Sequence, residues 1–361
     1  MSAKQDKSGK WSCQFWYEDI YGKRHHKCKR GFDAEEDALA FERQFLSRAN
    51  GSMDMTFADF VDVYFTDMAP KLGDYTRNTR EYMLNGKVIP VFGKKRMRDI
   101  TTLDIVEWQN GILTHTKDNG DPYSETYIRS LNCALAAVLN HAERFYGLSP
   151  NPMKKAPGIG SKSSRSIIVW TKDDYLKFSE AILDDREAFI AFELLYWTGI
   201  RLGELLALVP DDFDFAASEL RITKSYRRLK GIDRITPPKT PKSVRTIALP
   251  EFLRDEVRDF IYNYAGLAHD ERLFSTLTDA KLRAIMRKAC LQTGAPIIRI
   301  HDLRHSHVSL LIDMGFSAVA IGDRTGHESQ EITLRYGHMF PDSQGKMADA
   351  LQHFRDDDDA V

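Results

Sequence analysis

The sequence predicts a multidomain protein, mainly α with small β elements. The chain has 361 residues, more than one ordinary core organises. Apolar residues recur at three- and four-residue spacing over long stretches, and strict alternation is confined to short runs. With 42% hydrophobic and 29% charged residues the composition is that of an ordinary globular chain. No apolar run approaches the ~20 residues that span a bilayer. The opening MSAKQDKSGKW has no apolar signal core, so a cytoplasmic protein without membrane contact is expected. Cys13, Cys28, Cys133 and Cys290 are scattered, as free thiols in a reducing compartment would be.

Residues 1–50 read as a small sheet plus one helix. Trp11, Phe15 and Tyr17 alternate toward one face, Tyr21-Gly22-Lys23 supplies a turn, and a basic strand follows. DAEEDALAFERQFLSRA then has helical spacing, with Asp33 as its cap. Cys13, His25, His26 and Cys28 raise the possibility of a zinc site, but their spacing fits no common finger.

Residues 51–153 read as a bundle of four or five helices. FADFVDVYF puts Phe57, Phe60, Val61 and Tyr64 on one stripe. YTRNTREYMLNG is expected to end at Gly86, and TTLDIVEWQNGIL follows a Thr cap. In SETYIRSLNCALAAVLNHAERFYG, Ser124 is the cap, Gly147 the stop, and Ile128, Leu131, Leu135, Val138, Leu139 and Ala142 the stripe. KKAPGIGSKSSRS, residues 154–166, has no apolar period and reads as a flexible basic linker. Residues 167–361 return to mostly helical patterns, with short strands at 219–249 and a tail ending in the acidic run 356–359.

The net charge of -1 is an average over opposed patches. Residues 1–32 carry 8 Lys/Arg against 3 Asp/Glu, and residues 71–98 carry 8 against 2. Residues 154–165 carry 4 against 0, and residues 221–245 carry 9 against 1. One such window is ordinarily a solvated face. Four in a neutral chain point to a distributed surface for a polyanion.

Three short motifs in the last two hundred residues carry chemistry. LLYWTGIRLGELLAL breaks an apolar helix at Thr198-Gly199 and sets Arg201 before a second helix. A cation there must be paired, with Glu204 three residues on, or functional. HDLRHSHVSLLIDMG puts His301, Arg304 and His305 on one helical face. That combination suits an oxyanion, because a guanidinium is a two-pronged donor to phosphate oxygens. A mixed-polarity surface helix and a His301/His305 metal pair stand as alternatives, the latter without HExxH or a carboxylate cluster beside it. RITPPKTPKSVRTIALP places Lys239 at a proline-marked hairpin turn ahead of the alternating VRTIAL. A lysine at such a tip is ordinarily just solvated. Finally, HESQEITLRYGHMF holds Tyr336 nine residues after His327 and two before His338.

Arg in TGIRLGEL, Lys in a hairpin, HDLRH, TGH, and a tyrosine nine residues further on: in this order the motifs resemble the tyrosine recombinase family, also called the phage integrase family. Each motif is weak alone, and the ordered set is specific. The likeness covers a mixed α/β catalytic segment from about 170 to 345. It extends to the preceding helices as a core-type DNA-binding domain and to residues 1–50 as the arm-type domain of integrases from phages and conjugative transposons. Two departures stand out. Thr325 occupies a usually aliphatic position, and His305 and His307 crowd the HxxR motif.

The resemblance implies a site-specific DNA recombinase, a mobile-element integrase that needs no ATP, metal or other cofactor. Tyr336 would be the nucleophile, Arg201 and Arg304 the phosphate clamp, and Lys239 the general acid. His301 would be the base or a phosphate donor, His327 part of the clamp, and Glu204 the group that orients Arg201. His338 receives no role. Double-stranded DNA would be held at core and arm sites. Candidate contacts are Lys23, Arg24, Lys27, Lys29 and Arg30 in the arm unit, and Arg77, Arg80, Lys94, Lys95 and Arg96 in the helical unit. Lys162 and Arg165 in the linker and Lys242 in the catalytic segment complete the set. The expected assembly is a homo-tetramer on DNA, with an excisionase or DNA-bending protein as further partners. Kindred readings are a dimer-resolving recombinase, which commonly lacks an arm domain, and a topoisomerase-like nicking-closing enzyme. A catalytically silent DNA-binding regulator is the alternative from another class.

Overall fold

Alternation in the N-terminal stretch produces a three-stranded antiparallel sheet ordered β1 (Ala3–Gln5), β2 (Trp11–Glu18), β3 (Arg24–Phe32), followed by helix α1 (Glu35–Ala49). The computed structural model describes residues 3–6, 9–18, 24–49, 53–162, 168–238, 241–326, 336 and 352. Cys13 and Phe15 are buried with Ala38 of α1, and Tyr17 and Phe15 meet Phe45. The opposite phase, Gln14 and Trp16 paired with Cys28 and His26, faces away from the helix. Cys13 and Cys28 therefore point to opposite faces and cannot share a metal ion. Asp33, expected as the cap of α1, is engaged by Lys10, which lies just ahead of β2.

The helical unit comprises α2 (Phe57–Met68), α3 (Asp74–Met83), α4 (Ile89–Phe92), α5 (Thr102–Thr114) and α6 (Glu125–Tyr146). Thr56, Thr101 and Ser124 cap α2, α5 and α6 through their side chains, and Gly147 closes α6 in the left-handed conformation. Every residue of the two expected stripes is buried: Phe57, Phe60, Val61 and Tyr64 on α2, and the six of α6. Gly86 does not end its helix. The chain stays helical through a π-turn at Leu84–Val88, and Leu84 and Val88 are buried there. Tertiary packing thus outweighs the cost of a glycine in a helix interior, about 1 kcal/mol.

The expected flexible linker is docked over its first half. Ala156 and Ile159 pack on the helical core, and the Pro157 carbonyl accepts from Gln109 Nε2 at 2.8 Å. Gly160 sits so close to α6 that a Cβ would lie 2.4 Å from the Arg129 nitrogen.

The chain divides into two compact units at residues 165/166. The second begins with α7 (Lys172–Glu180), α8 (Arg186–Thr198) and the short α9 (Leu202–Leu205). Strands β4 (Phe213–Asp214), β5 (Glu219–Ile222) and β8 (Arg245–Ala248) form an antiparallel sheet, and β6 (Ser225–Leu229) pairs with β7 (Ile232–Thr236) as a hairpin. Helices α10 (Glu251–Asp259), α11 (Asp279–Thr293), α12 (Ile300–Asp313) and α13 (Ala318–Thr325) complete it. Its core runs through α8, whose Phe189, Ile190, Phe192, Leu194 and Leu195 are all buried. Among the described residues no helix is long and apolar enough to cross a membrane.

Candidate active site

Gly199 terminates α8 and lets Arg201 turn into the site. Its φ is +66°, and a Cβ there would lie 2.6 Å from Cδ2 of His307 on α12. Only glycine meets both conditions. Arg201 then opens α9, and its main-chain nitrogen donates to Glu204 Oε2 at 2.9 Å. Its side chain donates from Nη1 to Glu204 Oε1 at 2.8 Å and from Nη2 to the Gly326 carbonyl at 3.2 Å. The expected Arg201–Glu204 pair is real, yet Arg201 keeps a third of its side chain exposed while Glu204 is buried. It is paired and still presented.

Helix α12 supplies the second group. Asp302 anchors its start by accepting from the Arg299 nitrogen at 2.8 Å. His301, Arg304 and His305 share a face, as the spacing predicts, but their environments differ. His301 is exposed, whereas Arg304 and His305 are buried. Arg304 donates to the carbonyls of Gly199, at 2.7 Å, and of Thr325. Burial and the nearby Arg201 and Arg245 guanidinium groups lower its pKa to about 9, which leaves it charged at neutral pH. Although His301 keeps solvent access, the protein packed around its ring partly desolvates it, and this and then the charge of Arg304 lower its pKa, which favours neutral imidazole. Burial alone would raise the Glu204 carboxyl, but Arg245 and Arg201 outweigh it and hold the pKa low.

Tyr336 is 1% exposed and packs with Val308, Ile312 and Ile321. Its hydroxyl is hydrogen-bonded to Nδ1 of His305, and it lies within electrostatic reach of Arg304. Thus the structure brings Arg201, Glu204, His301, Arg304 and Tyr336 together. Lys239 and His327 lie outside the described residues, as do Lys23 and Arg165.

Three participants were not legible from the motifs. His305 meets Tyr336 where His301 was expected to serve it. Arg324 donates from Nε to Nε2 of buried His307 at 3.2 Å and from Nη2 to the Trp197 carbonyl at 3.2 Å. Burial, then Arg324, pushes the His307 pKa down to about 3, so the ring is a neutral acceptor. Arg245 grips Glu204 with both Nη atoms, at 3.2 and 2.9 Å. Its signal was present in VRTIAL: a charged residue on the same strand phase as buried Ile247.

Of the expected DNA contacts, Arg24 and Arg30 lie on the helix-free phase of the arm sheet. Lys27 and Lys29 lie on the other phase, with their ammonium groups over Phe45 and Phe41 at 5.2 and 4.2 Å. Arg77 pairs with Glu81 and Arg80 with the Tyr64 hydroxyl. Lys95 and Arg96 pair with Asp104 and Asp54. Lys94, Lys162 and Lys242 are exposed.

Three family models match the chain: an arm DNA-binding domain over residues 1–49, a phage integrase N-terminal SAM-like domain over 56–113, and the phage integrase family over 169–342. The ICEBs1 integrase of Bacillus subtilis is 28% identical over 97% of this chain and 99% of its own length. The putative prophage phiRv2 integrase of Mycobacterium tuberculosis is 25% identical over 93% of this chain and 90% of its own. The fold is similar to that of the Tn1549 transposon integrase solved with circular intermediate DNA, with a TM-score of 0.67 at 20% identity, covering 82% of this chain and 100% of that one. A lambda integrase dimer bound to a COC' core site superposes with a TM-score of 0.59 at 19% identity, over 93% and 94% of the two chains. Fold and sequence together define a tyrosine-type site-specific recombinase. The chain belongs to the phage integrase family, of which it has the arm, SAM-like and catalytic parts.

Proposed function

We propose that this protein integrates and excises a mobile element by cutting and rejoining DNA through a 3′-phosphotyrosine. The observation that carries the reading is the convergence of two guanidinium groups on adjacent carbonyls: Arg304 on Thr325 and Arg201 on Gly326, with Tyr336 beside Arg304. Two preorganised cations in a partly dry site offer what a phosphoryl transition state needs, charge fixed opposite the nonbridging oxygens. Arg201, His301 and Arg304 are assigned to that clamp, with His327 added from the family pattern. Glu204 orients Arg201.

In the reaction, Tyr336 Oη attacks phosphorus and the P–O5′ bond breaks. The phenolic proton passes to a histidine, with His301 the candidate, because a phenol with pKa about 10 is mostly neutral at pH 7. Lys239 protonates the departing 5′ oxygen. The 3′-phosphotyrosine retains the ester bond, so the 5′-hydroxyl of a partner duplex displaces the tyrosine and reseals the strand without ATP. The guanidinium groups supply the charge that a metal ion supplies in other phosphodiester enzymes. Because the Tyr336 hydroxyl is buried against His305, engagement of DNA requires the tyrosine to leave that contact.

Double-stranded DNA is the partner. A lambda integrase tetramer has been solved on a Holliday junction, which supports a homo-tetramer here, and an excisionase or DNA-bending protein would set direction. The match of residues 1–49 to an arm DNA-binding domain favours an element integrase over a dimer-resolving enzyme. The deciding experiment mixes two differently labelled duplexes carrying the element's joined ends and its target. Hybrid duplexes formed without ATP are expected. Relaxation of a supercoiled plasmid with no exchange of labels would instead make this a nicking-closing enzyme.

A further inference from the structure

Arg245 is 5% exposed on its side chain, and four of its hydrogen bonds join three separate segments. Nη1 and Nη2 reach the two oxygens of Glu204 at 3.2 and 2.9 Å. Nε reaches the Arg324 carbonyl at 2.9 Å, and Nη1 reaches the Ser243 carbonyl at 3.0 Å. The Arg324 carbonyl immediately precedes the two carbonyls that receive Arg304 and Arg201. Gly326, left-handed at φ +69°, completes the packing: a Cβ there would lie 3.4 Å from Arg245 Nη1.

This arrangement has a chemical consequence. Glu204 carries one negative charge against two guanidinium groups. Were Arg245 absent, that charge would pair with Arg201 alone and hold it as a neutral ion pair. With Arg245 forked across the carboxylate, Glu204 is fixed and shared, and Arg201 retains net positive character toward the open site. A lysine has no planar fork and could not hold the carboxylate and the α13 carbonyl together. Stability alone is a poor account of such a group, since buried ion pairs are often replaceable by apolar side chains without loss.

We infer that Arg245 is a positioning residue for strand cleavage, holding Glu204 and the end of α13 so that Arg201 and Arg304 stay set around the scissile phosphate. The inference rests on the proposed phosphodiester chemistry, and one experiment separates the two. Wild-type protein first selects a suicide duplex from a randomised pool by covalent capture. The selected duplex is then made with either a phosphodiester or a neutral methylphosphonate at the scissile position. Single-turnover cleavage is measured for Arg245→Lys, Arg245→Met and Glu204→Gln at saturating protein.

On the phosphodiester, Arg245→Met and Arg245→Lys should each be slowed at least tenfold at unchanged duplex affinity. On the methylphosphonate, where less charge needs clamping, the deficit should shrink below threefold. Glu204→Gln should show the same substrate dependence, and the Arg245→Lys/Glu204→Gln double variant should be no slower than the slower single variant. Equal losses on the two substrates, or wild-type rates for Arg245→Lys, overturn the inference while the recombinase reading stands. If Arg245→Met fails to fold, Arg245→Lys and Glu204→Gln decide the matter alone. A wild-type protein that captures no duplex overturns both.

Discussion

Two buried ionisable residues of the catalytic unit are held in opposite ways. Arg304 keeps its charge in the interior, aimed at the carbonyls of Gly199 and Thr325. Glu193, in the middle of α8, is pushed the other way. Burial raises its carboxyl pKa to about 7, with Glu256 adding repulsion, while Tyr175 donates to Oε1 at 2.7 Å. A carboxyl whose folded pKa lies above its unfolded value contributes stability that is full at low pH and lost as pH rises through the folded value. The share of stability that Glu193 contributes should therefore fall as pH rises from about 4.5 through about 7, by up to about 3 kcal/mol, against an opposing rise from buried His307. Glu193→Gln should flatten that fall, as read from melting temperatures across the range. An unchanged pH dependence in the variant would mean that Glu193 is ionised throughout. In the sequence Glu193 is only one polar residue in an apolar helix, and its burial depends on packing against α7 and α10. His305 was obscured for a related reason. It shares its helical face with His301, and which of them meets Tyr336 is decided by the tertiary placement of the tyrosine.

At the scale of elements, regular patterns transferred well and close approaches did not. The stripes of α2 and α6 and the HDLRH face of α12 follow from spacing alone. The continuation of α3 past Gly86 and the docking of residues 156–160 depend on surfaces contributed by distant helices, which local propensity does not encode. The arm sheet shows what register adds. All its cations look alike in the sequence, yet strand pairing sends Arg24 and Arg30 to the helix-free face and Lys27 and Lys29 over the rings of α1. If the helix-free face meets DNA, Arg24→Ala and Arg30→Ala should each weaken arm-site binding and reduce its salt slope by about one. Lys27→Ala and Lys29→Ala should leave the slope in place and lower arm stability by about 0.5–1 kcal/mol each, the worth of an exposed cation–π contact. Gel-shift titrations at several salt concentrations, beside thermal melts, read both quantities. Slopes lowered by the lysine changes rather than the arginine changes would assign the DNA face to the other side of the sheet.

For the whole molecule, a net charge near zero conceals a division of labour. Basic surface is spread over the arm, helical and catalytic segments, and acidic residues hold several of those cations in pairs, as Asp54, Glu81 and Asp104 do. The ordered motifs made the family legible because Arg201 follows a helix break and His301 and Arg304 share a helix face, whereas the hairpin expected around Lys239 is not formed by its flanking strands, since β7 pairs with β6 and β8 with β5. What stayed hidden for the supporting arginines, Arg245 and Arg324, was their partners, which are main-chain carbonyls and a carboxylate far away in sequence. The proposed chemistry turns on one tyrosine among fourteen. Its most direct test incubates wild type and Tyr336→Phe with a nicked suicide duplex and maps any protein–DNA adduct by mass spectrometry of the digested complex. A 3′-phosphate ester on the peptide containing Tyr336, absent from the phenylalanine variant, is the expected result. An undiminished adduct in Tyr336→Phe, or an adduct mapped to another residue, would contradict it.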